Sequence, residues 1–128
     1  MSRKIMDSGT PWELQVGYSR AVRVGPHVYV SGTTAAGPDG EIIGLGDPAS
    51  QMQQCLANIE HALAEMGANL ADVVRTRMYV VDIDAWANIG RVHREVFGEI
   101  RPATSIVEVS RLISPEILVE VEADAYID

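Results

Sequence analysis

Arg101-Pro-Ala-Thr-Ser-Ile-Val-Glu-Val-Ser-Arg-Leu-Ile-Ser-Pro-Glu-Ile-Leu-Val-Glu-Val-Glu-Ala-Asp124 reads as two strands joined by a short turn around Ser114-Pro115. Along the second strand Val119, Val121, Ala123 and Ala125 alternate with Glu120, Glu122 and Asp124. Period-two alternation sends alternate side chains to opposite faces, so this strand has one apolar and one acidic face. The apolar face needs a cover. The acidic face needs water or cations.

The cover comes from two amphipathic segments. Asp47-Pro48 opens a helix, with Asp as N-cap and Pro at the first helical position. Met52, Cys55, Leu56, Ile59, Leu63 and Met66 then recur every three or four residues, and Gly67 stops the helix. Cys55 lies on that stripe and reads as core, whereas His61 falls off it. Asp84 is expected to cap a second helix running to Phe97, with Gly98 as its stop. Trp86, Ile89, Val92 or His93, Val96 and Phe97 give it an apolar face, and His93 reads as a satisfied helix histidine.

Further strands complete the layer. Tyr18–Val24 and His27–Thr33 flank Gly25-Pro26, a hairpin signal. The second run ends in Ser31-Gly32-Thr33-Thr34, small residues that let a ligand approach the backbone. Ala35–Gly46 is a Gly/Pro-rich loop, with Glu41-Ile42-Ile43 as a candidate short strand. Val73–Val81 alternates Val74, Thr76, Met78 and Val80 on one face with Arg75, Arg77 and Tyr79 on the other. Residues 1–17 read as irregular, with Trp12 either capping the core edge or lining a pocket or subunit contact. Two helices can cover only one face of five or six strands. The expected architecture is therefore α+β in two layers, a single domain over residues 1–128.

The other face would carry Arg75, Arg77, Tyr79, Glu108, Glu120, Glu122 and Asp124. Such a face is either solvated or packed against other subunits, where arginines would have to pair with carboxylates, because burying a lone charge costs several kcal/mol. The residues alone leave both readings open.

Composition narrows the function classes. Hydrophobic residues make up 47% and charged residues 22% of the 128, the balance of a globular chain. Ten basic against eighteen acidic residues give a net charge of −8, which disfavours neutralising nucleic-acid phosphates. No apolar run approaches the ~20 residues a membrane helix needs, so no membrane partner is expected. The N-terminal residues lack an apolar signal core, and the lone Cys55 has no disulfide or metal-ligand companion. A reducing cytoplasm is the default expectation.

Tyr18-Ser-Arg-Ala-Val-Arg-Val-Gly, Val30-Ser31-Gly32, Arg101-Pro102-Ala103, Val107-Glu108-Val109, Arg111-Leu112 and Val119-Glu120-Val121-Glu122-Ala123 together resemble the YjgF / RidA family. These are the reactive enamine/imine deaminases, called endoribonuclease L-PSP in older usage. The resemblance runs in order from about Tyr18 to the C-terminus. It implies a chorismate-mutase-like fold forming a homotrimer, with small-molecule clefts between subunits. It further implies hydrolysis of 2-imino or 2-aminoacrylate-type intermediates to 2-keto acids and ammonia, with neither metal nor organic cofactor. Residue by residue it marks Tyr18 as the cleft tyrosine, Ser31 and Gly32 as pocket wall, and Glu120 as the group that positions or activates water.

The chain departs from the family at Thr104. The deaminase motif reads Pro-Ala-Arg-Ser and its arginine grips the substrate carboxylate, but residues 102–105 here are Pro-Ala-Thr-Ser. Ile106 stands where many members have cysteine. A bidentate arginine–carboxylate contact orients as well as binds, and threonine offers at most one neutral hydrogen bond. Its loss removes about 2–5 kcal/mol of affinity or transition-state stabilisation. Arg77, Arg101, Arg75 and Arg91 are the candidate replacements, with Arg77 first because the alternation puts it on the cleft face. A partner role for Arg77 against Glu120 or Glu122 is the competing reading. Trp86, Thr104 and Ile106 complete the candidate substrate-binding set.

Two main functions follow. One is an imine/enamine deaminase with altered substrate choice, Glu120 acting as general base beside Tyr18 and Ser31. The other is a non-catalytic trimer that binds a metabolite or partner protein. An endoribonuclease is the third, disfavoured by the acidic charge.

Overall fold

The helix opened by Asp47 organises the core. In the computed structural model, which describes residues 3–128, it spans Pro48–Glu65, and the Asp47 carboxylate accepts from the Ala49 and Ser50 amides. Every residue of its predicted stripe is buried, Cys55 included. Desolvation raises the Cys55 thiol pKa far above its ordinary value, which suits a core side chain and not a nucleophile. Gly67, at φ +81°, turns the chain in the left-handed region that glycine tolerates best.

The elements in chain order are β1 (Arg3–Met6), α1 (Pro11–Val16), β2 (Ala21–Val24), β3 (His27–Thr33), α2 (Pro48–Glu65), β4 (Val73–Val80), α3 (Trp86–Phe97), β5 (Ala103–Glu108) and β6 (Val119–Tyr126). The strands form one six-stranded sheet in the order β1-β2-β3-β6-β4-β5, antiparallel except for the parallel β4–β5 pair. Both long helices lie over one face, giving the expected two-layer α+β architecture. Val119 and Val121 of β6 are fully buried beneath α2, and each such burial stabilises the fold by about 1.5–3 kcal/mol.

Several local expectations change. The two strands of the 101–124 stretch do not pair with each other, because β4 inserts between them. The supposedly irregular arm contains β1 and α1. Thr10-Pro11 opens that helix, Gly17 ends it at φ +89°, and the only buried residue within it is Glu13. Burial opposes ionisation of Glu13, yet hydrogen bonds from Ser8 and Thr10 outweigh it and lower the carboxyl pKa. The second long helix is entered through a 3-10 turn capped by Asp82, not Asp84, with the Asp82 carboxylate accepting from the Asp84 amide. Trp86 sits at its first residue, exposed rather than packed in the core. Trp12 is likewise about half exposed. The Glu41–Ile43 segment contributes one isolated bridge, Ala36 to Ile42.

Two register details place the functional side chains. The β4–β6 pairing shifts between Val73 and Arg75, so Val74 is an extra residue and points to solvent instead of the core. Glu108 pairs with Val80, on the helix side, and its carboxylate accepts from the Ile83 amide, so it leaves the predicted open-face set. Buried Gln51 donates to the Gly44 and Glu116 carbonyls and accepts from the Leu118 amide, anchoring the chain just before β6. Arg23 ties β2 to the end of α2 through the Met66 carbonyl at 2.9 Å.

Candidate functional site

The β3–β6 ladder breaks between Val30 and Thr33, where Ser31 and Gly32 bulge. Bulges re-aim side chains locally. Here Ser31 Oγ donates to the Ser19 carbonyl at 2.7 Å, and the Ser31 amide donates to the Arg20 carbonyl. Thr33 Oγ1 closes the bulge by donating to the Ser31 carbonyl at 2.7 Å. The hairpin that was readable in the sequence thus holds residues 18–20 beside residues 31–32.

Glu120 reaches this bulge from β6. Its carboxylate occupies the space a side chain at Gly32 would take: a Cβ there would overlap Oε2 and lie 3.0 Å from Cδ. Gly32 is therefore required by close approach. Desolvation raises the Glu120 pKa, the Arg20 cation opposes that rise, and Glu122 adds to it. The carboxyl is shifted toward the range where a group can both accept and return a proton.

Arg20, absent from the sequence candidates, is the cation of this cluster. Its Nη2 donates to the Gly32 carbonyl at 2.7 Å, and its Cζ lies 5.7 Å from the Tyr18 ring centroid, a cation–π distance. Among the described residues its buried Nε has no hydrogen-bond partner. Arg20 also forms part of the wall of a cavity of about 700 Å³ bounded by the Ser8–Pro11 turn, Thr33–Thr34, the Ala36–Gly40 loop and Gln54, Asn58 and His61 of α2. Asn58 holds that loop in place by donating to the Thr34 and Ala36 carbonyls.

Glu120 lies against Gly32, and Ser31 is tied to the segment that carries Tyr18. The remaining candidates do not join them within one protomer. Arg77 shares the open face with Glu120 but is engaged by Asp124 at 3.3 Å and Glu122 at 3.8 Å. Tyr79 Oη donates to Glu122 at 2.8 Å, and that bond raises the phenol pKa. The charge-pairing reading of Arg77 is what the geometry displays. Arg91 pairs with Glu95 along α3.

Thr104 and Ile106 pair in register with Thr76 and Met78, whose side chains are buried on the helix side. Thr104 Oγ1 donates to the Thr76 carbonyl at 3.1 Å and shares a short contact with Thr76 Oγ1, which also meets His93 Nε2 at 2.9 Å. Burial lowers the His93 pKa. Ile106 packs against the core. Arg101 adopts φ +56° in the turn between α3 and β5 and lines a shallow cavity with His93, Arg94, Phe97, Gly98 and Pro102. Trp86 stands exposed at the start of α3.

Sequence reasoning had no signal that separated Arg20, just before β2, from Arg23 within it. Only the fold sends one to Gly32 and the other to Met66. Among the described residues no cluster of three or more His, Cys, Asp or Glu is placed to hold a metal ion, and no helix is long and apolar enough to cross a membrane.

Residues 12–127 match the family model described as endoribonuclease L-PSP. The crystal structure of Rv2704 from Mycobacterium tuberculosis, a member of the YjgF/YER057c/UK114 family, is 54% identical with a TM-score of 0.90, over 98% of this chain and all of that one. An uncharacterised protein of Streptomyces coelicolor is 40% identical, over 94% of this chain and 90% of its own length. The 3-aminoacrylate deaminase RutC of Acinetobacter baylyi is 32% identical over 96% of both chains.

Proposed function

Because the chain belongs to the endoribonuclease L-PSP, or YjgF, family, we propose that it is an imine/enamine deaminase in which Glu120 activates water. The observation that supports this reading is the Glu120 carboxylate lying against Gly32, in the bulge whose Ser31 is bonded to the Ser19–Arg20 backbone, with its pKa raised by desolvation. The similarity to a 3-aminoacrylate deaminase supports the same reaction class.

The chemistry is hydrolysis of a carbon–nitrogen double bond. Glu120 takes a proton from water as the hydroxide adds to the imine carbon, forming a carbinolamine. The proton returns to the nitrogen, the C–N bond breaks as the carbinolamine hydroxyl gives its proton back to Glu120, and a carbonyl compound and ammonia leave. An enamine enters the same sequence after protonation at carbon. Tyr18 and Ser31 orient the reactants. A carboxyl with a raised pKa suits this exchange because it takes up and returns a proton more readily than an ordinary carboxylate.

The active form is a homotrimer with clefts between subunits. In that assembly the exposed Arg101 and Trp86 of one protomer meet Glu120 of the next and shape substrate choice. Paired charges on the open sheet face, Arg77 with Glu122 and Asp124, suit burial at such a contact because neither sign is left alone.

The test is to generate imines freshly from several amino acids with an amino-acid oxidase and to follow their decay. Decay accelerated by the protein, with carbonyl product and ammonia formed in equal amounts, supports the reading. Decay at the buffer rate for every imine, by protein whose mass in solution is about three times 13.9 kDa, refutes it.

A further inference from the structure

Glu120 has a second carboxylate, Glu122, beside it on the open face of β6, and the two are held differently. We propose that Glu122, anchored by Tyr79 and Arg77, is a positioning residue: a fixed negative charge that governs when Glu120 takes up its proton. The proposal rests on the reading of Glu120 as the group that activates water. It adds which neighbour sets the pH at which that group works.

The geometry comes from the β4–β6 ladder. Residues two apart on a strand share a face with their Cα atoms about 7 Å apart, so Glu120 and Glu122 are neighbours by construction. Tyr79 stands opposite Glu120, and Arg77 stands opposite Glu122. The Tyr79 side chain passes its own cross-strand partner and runs diagonally, its Oη donating to Glu122 at 2.8 Å. Arg77 lies 3.8 Å from Glu122 but only 3.3 Å from Asp124, which accepts its hydrogen bond. Glu122 is thus oriented by a neutral donor and shares its cation with a nearer carboxylate. A charge held in this way still acts on its neighbour.

The titratable and charged groups around Glu120 come from every element packed against it. Arg20 precedes β2, Cys55 belongs to α2, Tyr79 and Arg77 to β4, and Glu122 and Asp124 to β6 itself. On β3, His27 and Tyr29 pair with Tyr126 and Asp124, farther along the ladder than the bulge that Glu120 meets. Desolvation is the main cause of the raised Glu120 pKa; Arg20 opposes it, and Glu122 is the anion that adds to it. Neighbouring titratable groups whose surroundings drive them apart divide the labour of proton transfer. Here Glu120, against the bulge, handles the proton, and Glu122, tied to Tyr79, supplies the charge.

Carbon-detected NMR of the side-chain carboxyls follows the titration of Glu120 independently of turnover, with Glu120→Gln assigning its signal. Glu122→Gln keeps the oxygen that Tyr79 binds and removes the charge, so the Glu120 midpoint should fall to lower pH. The acid limb of the pH–rate profile should move with it. At a pH on that limb the variant should run about threefold faster than wild type, the influence of one unit charge about 7 Å away through water. Glu122→Asp restores the charge and should bring the midpoint back toward wild type. Tyr79→Phe releases the anchor and should shift the midpoint in the same direction as Glu122→Gln, by less. Glu95→Gln removes a negative charge on α3 and should leave the midpoint in place. An unmoved midpoint in a Glu122→Gln protein of native Tm overturns the proposal, as does an equal shift in Glu95→Gln. Should Glu122→Gln not fold, an unmoved midpoint in Tyr79→Phe overturns it instead. Should the midpoint move while imine decay is absent or its acid limb stays put, the coupling of the two carboxylates stands and the catalytic reading of Glu120 fails.

Discussion

The Glu120 carboxylate lies where a side chain on Gly32 would be, with Cδ 3.0 Å from the position of an added Cβ. Gly32→Ala should therefore act on Glu120 before it acts on the fold. The atom in the way is the free end of a flexible side chain, so the stability loss should be about 1 kcal/mol, the low end of overpacking. Turnover should drop about a hundredfold, as a displaced reacting group can cause. Thermal melts and imine decay read the two effects. In a Glu120→Ala background Gly32→Ala should cost no further activity, and a full additional loss there would show that Gly32 acts by another route.

Glu120 also makes stability depend on pH. Its folded pKa is raised, so the folded state holds the proton to higher pH than the unfolded chain does. That contribution is fully present below the ordinary carboxylate value of about 4.3 and is lost as pH rises through the raised folded value. Glu120→Gln, which cannot ionise, should melt higher than wild type at neutral pH by up to about 4 °C, what roughly 1 kcal/mol gives in a domain of this size. The difference should vanish near pH 4. A gap that widens toward acid would contradict the sign.

His93 should act in the opposite direction. Burial lowers its folded pKa, so the neutral ring is favoured and its contribution is complete above the ordinary value of about 6.5. That contribution is lost as pH falls from there through the lowered folded value. His93→Asn should flatten the slope of Tm between pH 7 and 5, a change of less than about 1 kcal/mol. An unchanged slope would place the titrating group elsewhere.

Thr104 should matter to the edge strand more than to catalysis in its present form. Thr104→Val removes one partner of buried Thr76 and should cost about 1 kcal/mol, with turnover nearly unchanged. Thr104→Arg places a cation at this edge-strand position and should raise turnover of 2-imino acids about tenfold, the gain expected of one charge-assisted contact. Flat turnover by a folded variant of unchanged solution mass would show that a cation at this position does not reach the substrate.

Much of this architecture was legible because strong local signals agreed with the global fold. The Asp47-Pro48 cap, the α2 stripe, the Gly25-Pro26 hairpin and the β6 alternation each named their element. What failed was either short or non-local. Thr10-Pro11, Glu13 and Gly17 are start and stop signals for α1, but six residues hold too few turns for periodicity to declare itself. The insertion of β4 between β5 and β6 is a long-range pairing that no hairpin signal reports. The Val74 bulge reversed a predicted face because one extra residue breaks period two. Around the bulge, Tyr18, Ser31, Gly32 and Glu120 came from motif positions, whereas Arg20 needed coordinates: its placement depends on the carbonyl of Gly32, twelve residues away.

The most direct measurement is the rate of imine decay with Glu120→Ala beside wild type, both confirmed as folded and of the same assembly. Loss of a general base should lower the catalysed rate by about 10²–10⁴-fold, with the acid limb of the pH–rate profile disappearing along with it. A Glu120→Ala protein that hydrolyses the same imines at the wild-type rate would contradict the account.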